Sequence, residues 1–263
     1  MKICCLIKEV PDAAVQKRID PSTKRLDRSG EKNLNPFDTH GIEAAMQLRE
    51  GGEVEVDEIV AVTMGPESAL RALHKAVALG ADRSVHLTDD ALSGSDVCAT
   101  GYALAKALEK ESPDLVLLGQ QSDDGECYTI GAVVADHLKM PSLTQVIKMD
   151  VTDGKLRCDR QAEYGYDTVD VEMPAVISVG DAINEPRYPS LKAIMGAKKK
   201  PLETSSIADA DIEADRVGEA GSRTAVLEIN PPPAKEAGEI IEDEDTAETV
   251  EKIVTWLEER KLI

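Results

Sequence analysis

The chain has 263 residues, 42% of them hydrophobic but only 3% aromatic, which suffices for one large α/β domain with an appendage and requires an aliphatic core. A net charge of −20 argues against a nucleic-acid-binding protein, because contacts with phosphates need a basic surface. The five cysteines indicate neither a disulfide framework nor a zinc site, and the lack of a signal peptide or a membrane-spanning stretch makes the cytoplasm the expected compartment.

Strands and helices alternate through the first half of the chain. Apolar runs predict strands, several of them buried and parallel, at residues 3–7, 59–64, 84–87 and 115–118. Helices are predicted between and after these strands, at residues 39–50, 66–79, 97–108 and 130–138. Pro66 suits the first turn of its helix, and Ser95 and Asp96 can cap the next one. The alternation is typical of a Rossmann-like, doubly wound and mostly parallel sheet.

The character of the sequence changes after Pro141. Shorter, partly antiparallel strands are predicted at residues 146–151, 155–158 and 168–171. Asp153 and Gly154 suit a hairpin turn, and residues 175–179 are expected to return to the main sheet. The predicted fold class is therefore α/β, with a small antiparallel extension of the parallel sheet.

The last quarter of the chain is strongly acidic. Residues 201–263 contain 17 acidic and 6 basic residues, a net charge of −11, and the prolines at 231–233 form a stiff spacer. An acidic run at residues 242–245 leads into a terminal helix and favours its dipole. The apolar face of that helix carries Val250, Ile253, Val254 and Leu257. Such a segment cannot form its own core, so we expect an arm that wraps a partner subunit; the alternative is a tail folded back on its own domain.

Residues 184–201 form the most distinctive segment of the chain. Pro186 and Pro189 stiffen its start, and lysines 198–200 end it. Between them lie apolar residues at helical spacing, namely Leu191, Ile194 and Met195. A short apolar helix on a stiff arm suits an anchor that is presented to a partner. The alternative is an ordinary loop with one helical turn that faces the core.

The same segment resembles the partner-recognition loop of the electron-transfer flavoprotein beta subunit, and the resemblance extends over nearly the whole chain. In that family the loop carries a leucine that docks onto dehydrogenases, and Leu191 falls on this position. The resemblance implies a docking surface of Tyr188, Leu191, Ile194 and Met195. Arg187 would hold the base of the loop or reach a flavin, and lysines 198–200 would steer acidic dehydrogenase surfaces or form a solvated run.

The strand at residues 115–118 leads into a second informative segment. Small and polar residues occupy positions 119–128, and a helix is expected to start near Thr129. Helix N-termini bind phosphate through unpaired N–H groups and the positive end of the helix dipole. The chain has neither a Gly-x-Gly-x-x-Gly sequence nor a Walker lysine, so this is no standard dinucleotide fingerprint or P-loop. From these residues alone, the loop either binds a nucleotide or only caps a helix.

The resemblance implies that this loop holds the phosphate of an adenine nucleotide. Residues 35–38 match a family motif that lines the same pocket, and Phe37 would lie near a flavin carried mainly by the other subunit. Leu6 and Met64 would contact the nucleotide through their backbone, or serve only in core packing. The implied cofactor-binding residues are Leu6, Asn35, Pro36, Phe37, Asp38, Met64, Asp124, Gly125, Glu126, Cys127, Tyr128, Thr129, Ile130, Gly131, Ala132, Val133, Val134 and Ala135.

Two adenine nucleotides are possible ligands of this pocket. Family members that hold AMP usually have a Ser or Thr before the last glycine of the loop, whereas this chain has Ile130 before Gly131. Residues 10–12 and 19–21 resemble the electron-bifurcating branch, whose beta subunit carries a second FAD in place of AMP. Residues 184–188 resemble the non-bifurcating branch instead. We favour a second FAD and retain AMP as the alternative.

The resemblance also implies an electron carrier without a catalytic residue or metal of its own. The chain would pair with an electron-transfer flavoprotein alpha subunit and share an FAD with it. The heterodimer would carry electrons from flavin dehydrogenases, such as the acyl-CoA dehydrogenases of fatty acid β-oxidation, to a downstream acceptor, and electron bifurcation from NADH is a possible extension. The implied division is a nucleotide-binding domain at residues 1–183, the recognition loop at 184–201, and an arm at 202–263 that contacts the alpha subunit.

Two other classes of protein share a related α/β nucleotide fold. A nucleotide-binding sensor of the universal-stress type would lack the acidic arm and the segment at 184–201. An ATP-pyrophosphatase-like enzyme would need a Ser-Gly-Gly-x-Asp-Ser-type loop after the first strand, where this chain has residues 8–12 of a different kind. Both alternatives are therefore disfavoured.

Overall fold

The computed structural model describes the chain except for residues 153, 231, 232, 234–237, 239 and 241–244. It divides into two units, residues 1–227 and residues 228–263. The strands are β1 (Lys2–Leu6), β2 (Glu9–Pro11), β3 (Ile19–Asp20), β4 (Arg25–Leu26), β5 (Lys32–Leu34), β6 (Glu58–Met64), β7 (Arg83–Leu87), β8 (Leu115–Gly119), β9 (Ser142–Thr152), β10 (Lys155–Ala162), β11 (Gly165–Val171), β12 (Ala175–Val179) and β13 (Leu202–Ser205). The α-helices are α1 (Pro36–Gly51), α2 (Leu70–Leu79), α3 (Val97–Glu111), α4 (Ile130–Leu138), α5 (Leu191–Ala197), α6 (Gly218–Gly221) and α7 (Thr246–Glu259).

The main sheet of the first unit has the strand order β11-β10-β9-β12-β8-β1-β6-β7-β13. Neighbouring strands from β9 to β13 across this order run parallel, whereas β10 pairs antiparallel with both β9 and β11. The predicted fold class, a mostly parallel sheet with an antiparallel extension, is confirmed. The turn predicted at Asp153 lies outside the described residues.

Both faces of the sheet are covered by helices. Side chains alternate along β1, so that Ile3 packs on one face, with residues of α1 and α2, while Cys4 packs on the other, with residues of α3 and α4. Buried strand residues on both faces explain why these strands are apolar runs instead of alternating patterns. The helix predicted at 130–138 and the strand predicted at 175–179 have the observed bounds of α4 and β12.

Helix α1 begins three residues before its predicted start. Pro36 occupies its first turn, where a missing N–H costs no hydrogen bond, and Asn35 is its N-cap residue. The prediction began at Thr39 because the preceding prolyl motif interrupts the helical pattern. The early start matters for function, since it brings residues 35–38 to the carboxyl end of the sheet.

Residues 202–227 belong to the compact first unit, whereas the sequence places the start of the arm at residue 202. Strand β13 pairs in parallel with β7, and Ala210, Ile212 and Val217 are buried in a small core with Tyr102. Four residues of strand and isolated apolar residues among acidic ones give too weak a pattern to predict. The boundary found in the structure therefore lies at residues 227 and 228.

The second unit contains the terminal helix that the sequence predicts. The carboxylate of Asp245 accepts a hydrogen bond from the N–H of Ala247 and caps α7. Val250, Ile253 and Val254 are exposed within this unit. Most of the predicted proline spacer and of the acidic run at 242–245 lies outside the described residues.

Two kinds of feature are absent from the part of the chain that the structure describes. No helix there combines the length and the apolar character needed to cross a membrane. No cluster of three or more His, Cys, Asp or Glu side chains there could hold a metal ion.

Candidate functional site

A cavity of about 350 Å³ opens at the carboxyl ends of β1, β6 and β8, which places it at the low end of the range for small-molecule sites. The apolar part of its lining includes Leu6, Met64, Leu104, Leu118 and Ile130. The polar part includes Lys8, Asn35, Asp38, Gln120, Gln121 and Ser122. Such a mixed lining suits a ligand that combines a flat apolar base with a charged group.

The structure brings only part of the implied cofactor site to the cavity. The implied residues that line it are Leu6, Asn35, Asp38, Met64, Cys127, Tyr128 and Ile130. Pro36, Phe37, Asp124, Gly125, Glu126, Thr129, Gly131, Ala132 and Val133 lie outside its lining. Val134 and Ala135 are buried in the core of the α3 and α4 face. Their position four and five residues into α4 turns them toward the sheet.

Several lining residues were not among those implied by the sequence. Gln120, Gln121 and Ser122 belong to the loop after β8, but the implied range began only at Asp124. Val97 and Thr100 come from the first turn of α3, next to its capping residues. These two residues could have been predicted from the sequence, because α3 also begins at the carboxyl edge of the parallel sheet, where ligand sites form.

Phe37 has a structural task at the start of α1. A Cβ atom on Gly119 would lie 2.5 Å from the carbonyl carbon of Phe37, so α1 approaches the end of β8 closely enough to require glycine there. This approach brings Asn35 and Asp38 to the wall of the cavity. Phe37 itself is half-buried beside the cavity instead of lining it.

Asn35 joins two loops around the cavity. Its side-chain Nδ2 donates to the carbonyl oxygen of Gln121 at 2.8 Å, and its Oδ1 accepts from the N–H of Asp123 at 3.1 Å. Its backbone N–H donates to the carbonyl oxygen of Lys8 at 2.9 Å. A single buried amide therefore fixes the loop after β8 against the end of β1.

Asp38 is a buried carboxyl group in the same wall. Burial raises the pKa of Asp38 to about 7, against hydrogen bonds from Asn35 and from the N–H groups of Lys8 and Gly119 that lower it. The bond from the N–H of Lys8 to Oδ2 measures 2.8 Å. The carboxyl group of Asp38, at the edge of the cavity, therefore gains or loses its proton near neutral pH.

Lys8, which lines the cavity, belongs to a group of charged side chains around Asp124. Lys8 Nζ lies 2.8 Å from Asp124 Oδ1 and donates to Ser122 Oγ at 3.2 Å. Arg28 forms an ion pair with the other carboxylate oxygen of Asp124. Burial alone would raise the pKa of Asp124, but the charge of Lys8 and hydrogen bonds from Lys8, Ser122 and Arg28 outweigh it and lower the pKa to about 2.

An adenine nucleotide fits the chemistry of this lining. Gln121 lines the cavity, and its buried Oε1 atom has no hydrogen-bond partner among the described residues. A buried amide oxygen without a donor is costly, and an exocyclic amino group of a base would satisfy it. The lining also offers the apolar side chains of Leu6, Met64 and Ile130 to the faces of that base and the cation of Lys8 to a phosphate.

The segment at 184–201 carries a second candidate site, which is attached to α1. Exposed apolar side chains are found on α5 and two residues before its N-cap Ser190, with Tyr188 94%, Leu191 81%, Ile194 50% and Met195 77% exposed. We call these four residues the apolar tip. Ala197 instead is buried, and α5 packs against α2 through it. The predicted helical turn therefore presents its large apolar residues outward within this chain.

The base of this segment is fixed to α1. Arg187 Nε donates to Glu43 Oε2 at 2.6 Å, and its Nη1 donates to Glu50 Oε1 at 2.7 Å. The side chain of Asn184 donates to the carbonyl oxygen of His40 at 3.0 Å. The hydrogen bonds that Arg187 donates to Glu50 and Glu43 raise the pKa of Arg187 above its ordinary value. Arg187 therefore holds the base of the loop, which was one of its two expected roles.

The lysines at the end of the segment are not equivalent. Lys200 Nζ donates to the carbonyl oxygen of Ala81 at 3.0 Å and ties the segment to the end of α2. Lys198 and Lys199 are exposed beside the apolar tip. Only these two are placed to act on a partner.

Comparison with known proteins agrees with this architecture. The family model described as the electron transfer flavoprotein domain matches residues 23–210. A Mycobacterium tuberculosis protein named electron transfer flavoprotein subunit beta is 40% identical over 99% of both chains. A protein of the same name from Thermoanaerobacterium thermosaccharolyticum is 38% identical, and Acetobacterium woodii CarD, named as a subunit of a caffeyl-CoA reductase–Etf complex, is 35% identical, both over the full chains. The chain therefore belongs to the electron transfer flavoprotein family, whose members carry electrons and do not themselves transform a substrate.

Proposed function

We propose that the chain is the beta subunit of a heterodimer with an alpha subunit, and that the pair carries electrons from flavin dehydrogenases to a downstream acceptor. The observation that carries this proposal is the apolar tip, exposed on a segment whose base is clamped to α1. A small apolar anchor with charged residues beside it suits a partner that must bind and leave quickly. Acyl-CoA dehydrogenases of fatty acid β-oxidation are the donors that we propose.

The proposed cofactor of electron transfer is an FAD shared with the alpha subunit, close to the start of α1 and Phe37. The flavin accepts and releases the electrons, and the residues of this chain position it and shape its surroundings. Five free thiols accord with the reducing cytoplasm that we propose as the compartment. The amphipathic helix α7, with its exposed apolar face, is the proposed contact with the alpha subunit.

For the cavity of this chain we propose a second FAD in preference to AMP, and with it electron bifurcation from NADH. Ile130 lines the cavity at the start of α4 and offers no hydroxyl group to a single phosphate. The loop there is held by Lys8 and Arg28, so cations are at hand for more than one phosphate group. The similarity to a subunit of a caffeyl-CoA reductase complex is further support.

Counting ligands tests this part of the proposal. The purified complex of the two subunits is denatured, and its FAD and AMP are separated and quantified per heterodimer. We expect two FAD and no AMP. One of each would overturn the second FAD and bifurcation while leaving the carrier intact, and a monomer without any flavin would overturn the whole proposal.

Replacing the anchor tests the docking surface. In the intact complex, Leu191→Ala should slow electron transfer from an acyl-CoA dehydrogenase about tenfold or more, because a buried leucine anchor contributes about 1.5 to 3 kcal/mol to binding. Flavin content should stay unchanged. Leu227→Ala is the matched control, since Leu227 is equally exposed but lies outside the segment. Loss of flavin in Leu191→Ala, or an equal effect of Leu227→Ala, would contradict the docking role.

A further inference from the structure

The ion pairs of Lys8 and Arg28 with Asp124 join three separate parts of the chain. Lys8 follows β1, Arg28 follows β4, and Asp124 lies in the loop between β8 and α4. The side chain of Asp124 is fully buried, whereas those of Lys8 and Arg28 are partly exposed. A buried carboxylate that holds two cations toward solvent is an arrangement that stabilises the positions of the cations as well as the loop.

The charges of this group do not cancel. Two cations share the single charge of Asp124, which leaves a net charge of about +1 on a chain whose total is −20. Burial raises the pKa of Asp38 to about 7. Asp96 also lines the cavity and stays ionised, because the effect of burial, which raises its pKa, is outweighed by hydrogen bonds from the N–H groups of Ala99 and Arg223, which lower it. The excess positive charge is therefore local to Lys8 and Arg28, and an anion is attracted there and not by the cavity as a whole.

Lys8 has a hydrogen-bonding group left for a ligand. An ammonium group has three N–H donors, and the contacts with Ser122 and Asp124 use two of them. Among the described residues that line the cavity, Lys8 has the one cationic side chain. One donor of Lys8 is therefore not used by these contacts and is available to a ligand in the cavity.

We propose that Lys8 binds the phosphate of the adenine nucleotide directly, and that Asp124 and Arg28 are positioning residues that hold Lys8 for this contact. The inference rests on the proposed nucleotide site and names the group that recognises its charged end. Asp124 keeps Lys8 at the cavity before the ligand arrives, so that binding orders no flexible lysine. The phosphate then joins the cluster and balances its excess positive charge.

The test compares ligands that differ only in the phosphate. AMP is one half of FAD, so it probes the phosphate next to the adenosine for either proposed ligand. Dissociation constants for adenosine and AMP are measured by equilibrium dialysis on the intact complex of the two subunits, after its resident nucleotide has been dialysed away. Lys8→Met keeps the apolar stem of the side chain and removes its charge. We expect this variant to bind AMP about tenfold or more weakly and adenosine to within about twofold of the parent protein.

Two further variants separate recognition from folding. Lys8→Arg keeps the charge and should restore most of the affinity for AMP. Lys17→Met removes a lysine that pairs with the neighbouring Asp123 at 3.0 Å but does not line the cavity, and it should change neither affinity. Asp124→Asn releases Lys8 from its fixed position, so it should weaken the binding of AMP more than the binding of adenosine.

Each other outcome overturns the inference. Equal losses for adenosine and AMP in Lys8→Met would show that the lysine only supports the loop, and unchanged AMP affinity would show that it does not touch the phosphate. If the parent complex binds neither ligand, the proposed nucleotide site fails as well. In that case the failure is visible without any variant.

Discussion

The two candidate sites are attached to the same helix and use opposite chemistry. At its start, α1 contributes Asn35 and Asp38 to a recessed cavity whose polar groups are buried and hydrogen-bonded. Farther along α1, the buried Glu43 holds a segment whose large apolar residues are exposed. A ligand that stays bound needs polar groups fixed in advance, whereas a visiting partner needs an apolar surface that is free until it arrives.

The largest effect is expected from a substitution that disrupts the cavity and leaves the apolar tip intact. Gly119→Ala would force a Cβ atom to 2.5 Å from the backbone of Phe37, so α1 or β8 must shift. We expect the free energy of unfolding to fall by about 3 kcal/mol in urea denaturation, with loss of the nucleotide.

The matched control for this substitution lies in the segment at 184–201, which we call the recognition segment. Gly196→Ala places a Cβ atom in α5 where no other atom lies within 4 Å. Alanine is the better helix former, so stability should be unchanged or rise by up to about 1 kcal/mol. Equal losses in the two variants would contradict the contrast between a packed and an open site.

The second prediction concerns pH and the cavity alone. Because the native protein retains a proton on Asp38 that the unfolded chain releases between about pH 4 and pH 7, stability should fall as the pH rises through this range. Asp38→Asn cannot titrate, so its free energy of unfolding should lose about 2 kcal/mol less than that of the parent protein between pH 5 and pH 8. Urea denaturation at several pH values measures the difference. A difference that does not vary with pH would refute the prediction.

A smaller effect is expected at the base of the recognition segment. Arg187→Met leaves the buried Glu43 without its cation and should lower stability by about 1 to 2 kcal/mol. It should also accelerate proteolysis within residues 184–201, because the segment loses its attachment to α1. Arg157→Met is the control, since Arg157 pairs with Asp170 on an exposed strand surface far from the segment in sequence. Nucleotide content should not change in either variant, and its loss in Arg187→Met would show that the two sites are not independent.

The smallest effect concerns the charged rim of the apolar tip. Lys199→Ser should slow electron transfer from an acidic dehydrogenase about twofold at low salt, and the difference should vanish at high salt. Lys139→Ser removes the same charge from an exposed position outside the segment and should have no such effect. A loss of rate that persists at high salt would assign Lys199 a direct contact in place of steering.

The parts of the fold that were predicted correctly share one property, which is that local sequence determines them. A strand buried on both faces is an apolar run, as in β8 and β12, and a helix with a regular apolar stripe, such as α4, needs no distant partner to be recognised. The pairs β2–β5 and β3–β4 went unpredicted because two or three residues carry no periodicity. Strand β13 was not predicted for the same reason.

The candidate site shows the same limit. The loop after β8 could be located from the sequence, because it follows a buried strand and precedes a helix. Lys8 could not be identified, since its partner Asp124 lies 116 residues away and a lysine after a strand is usually solvated. The exposure of Leu191 also depends on tertiary structure, because the spacing of an apolar helix is the same whether it faces the core or the solvent.

The segment at 184–201 lies between two strands of one sheet, β12 and β13, each of which runs parallel to its own neighbours, β8 and β9 for β12 and β7 for β13. It is therefore a crossover connection as well as a docking device, tethered at both ends by strand pairing. These two attachments restrict the conformations of the segment before binding. Binding to a dehydrogenase therefore costs little conformational entropy. The crossover connection also makes the anchor depend on this strand pairing. If the edge strand β13 detached from β7, the segment would lose one of its two attachments to the sheet, while the cavity, which β13 does not line, would keep its walls.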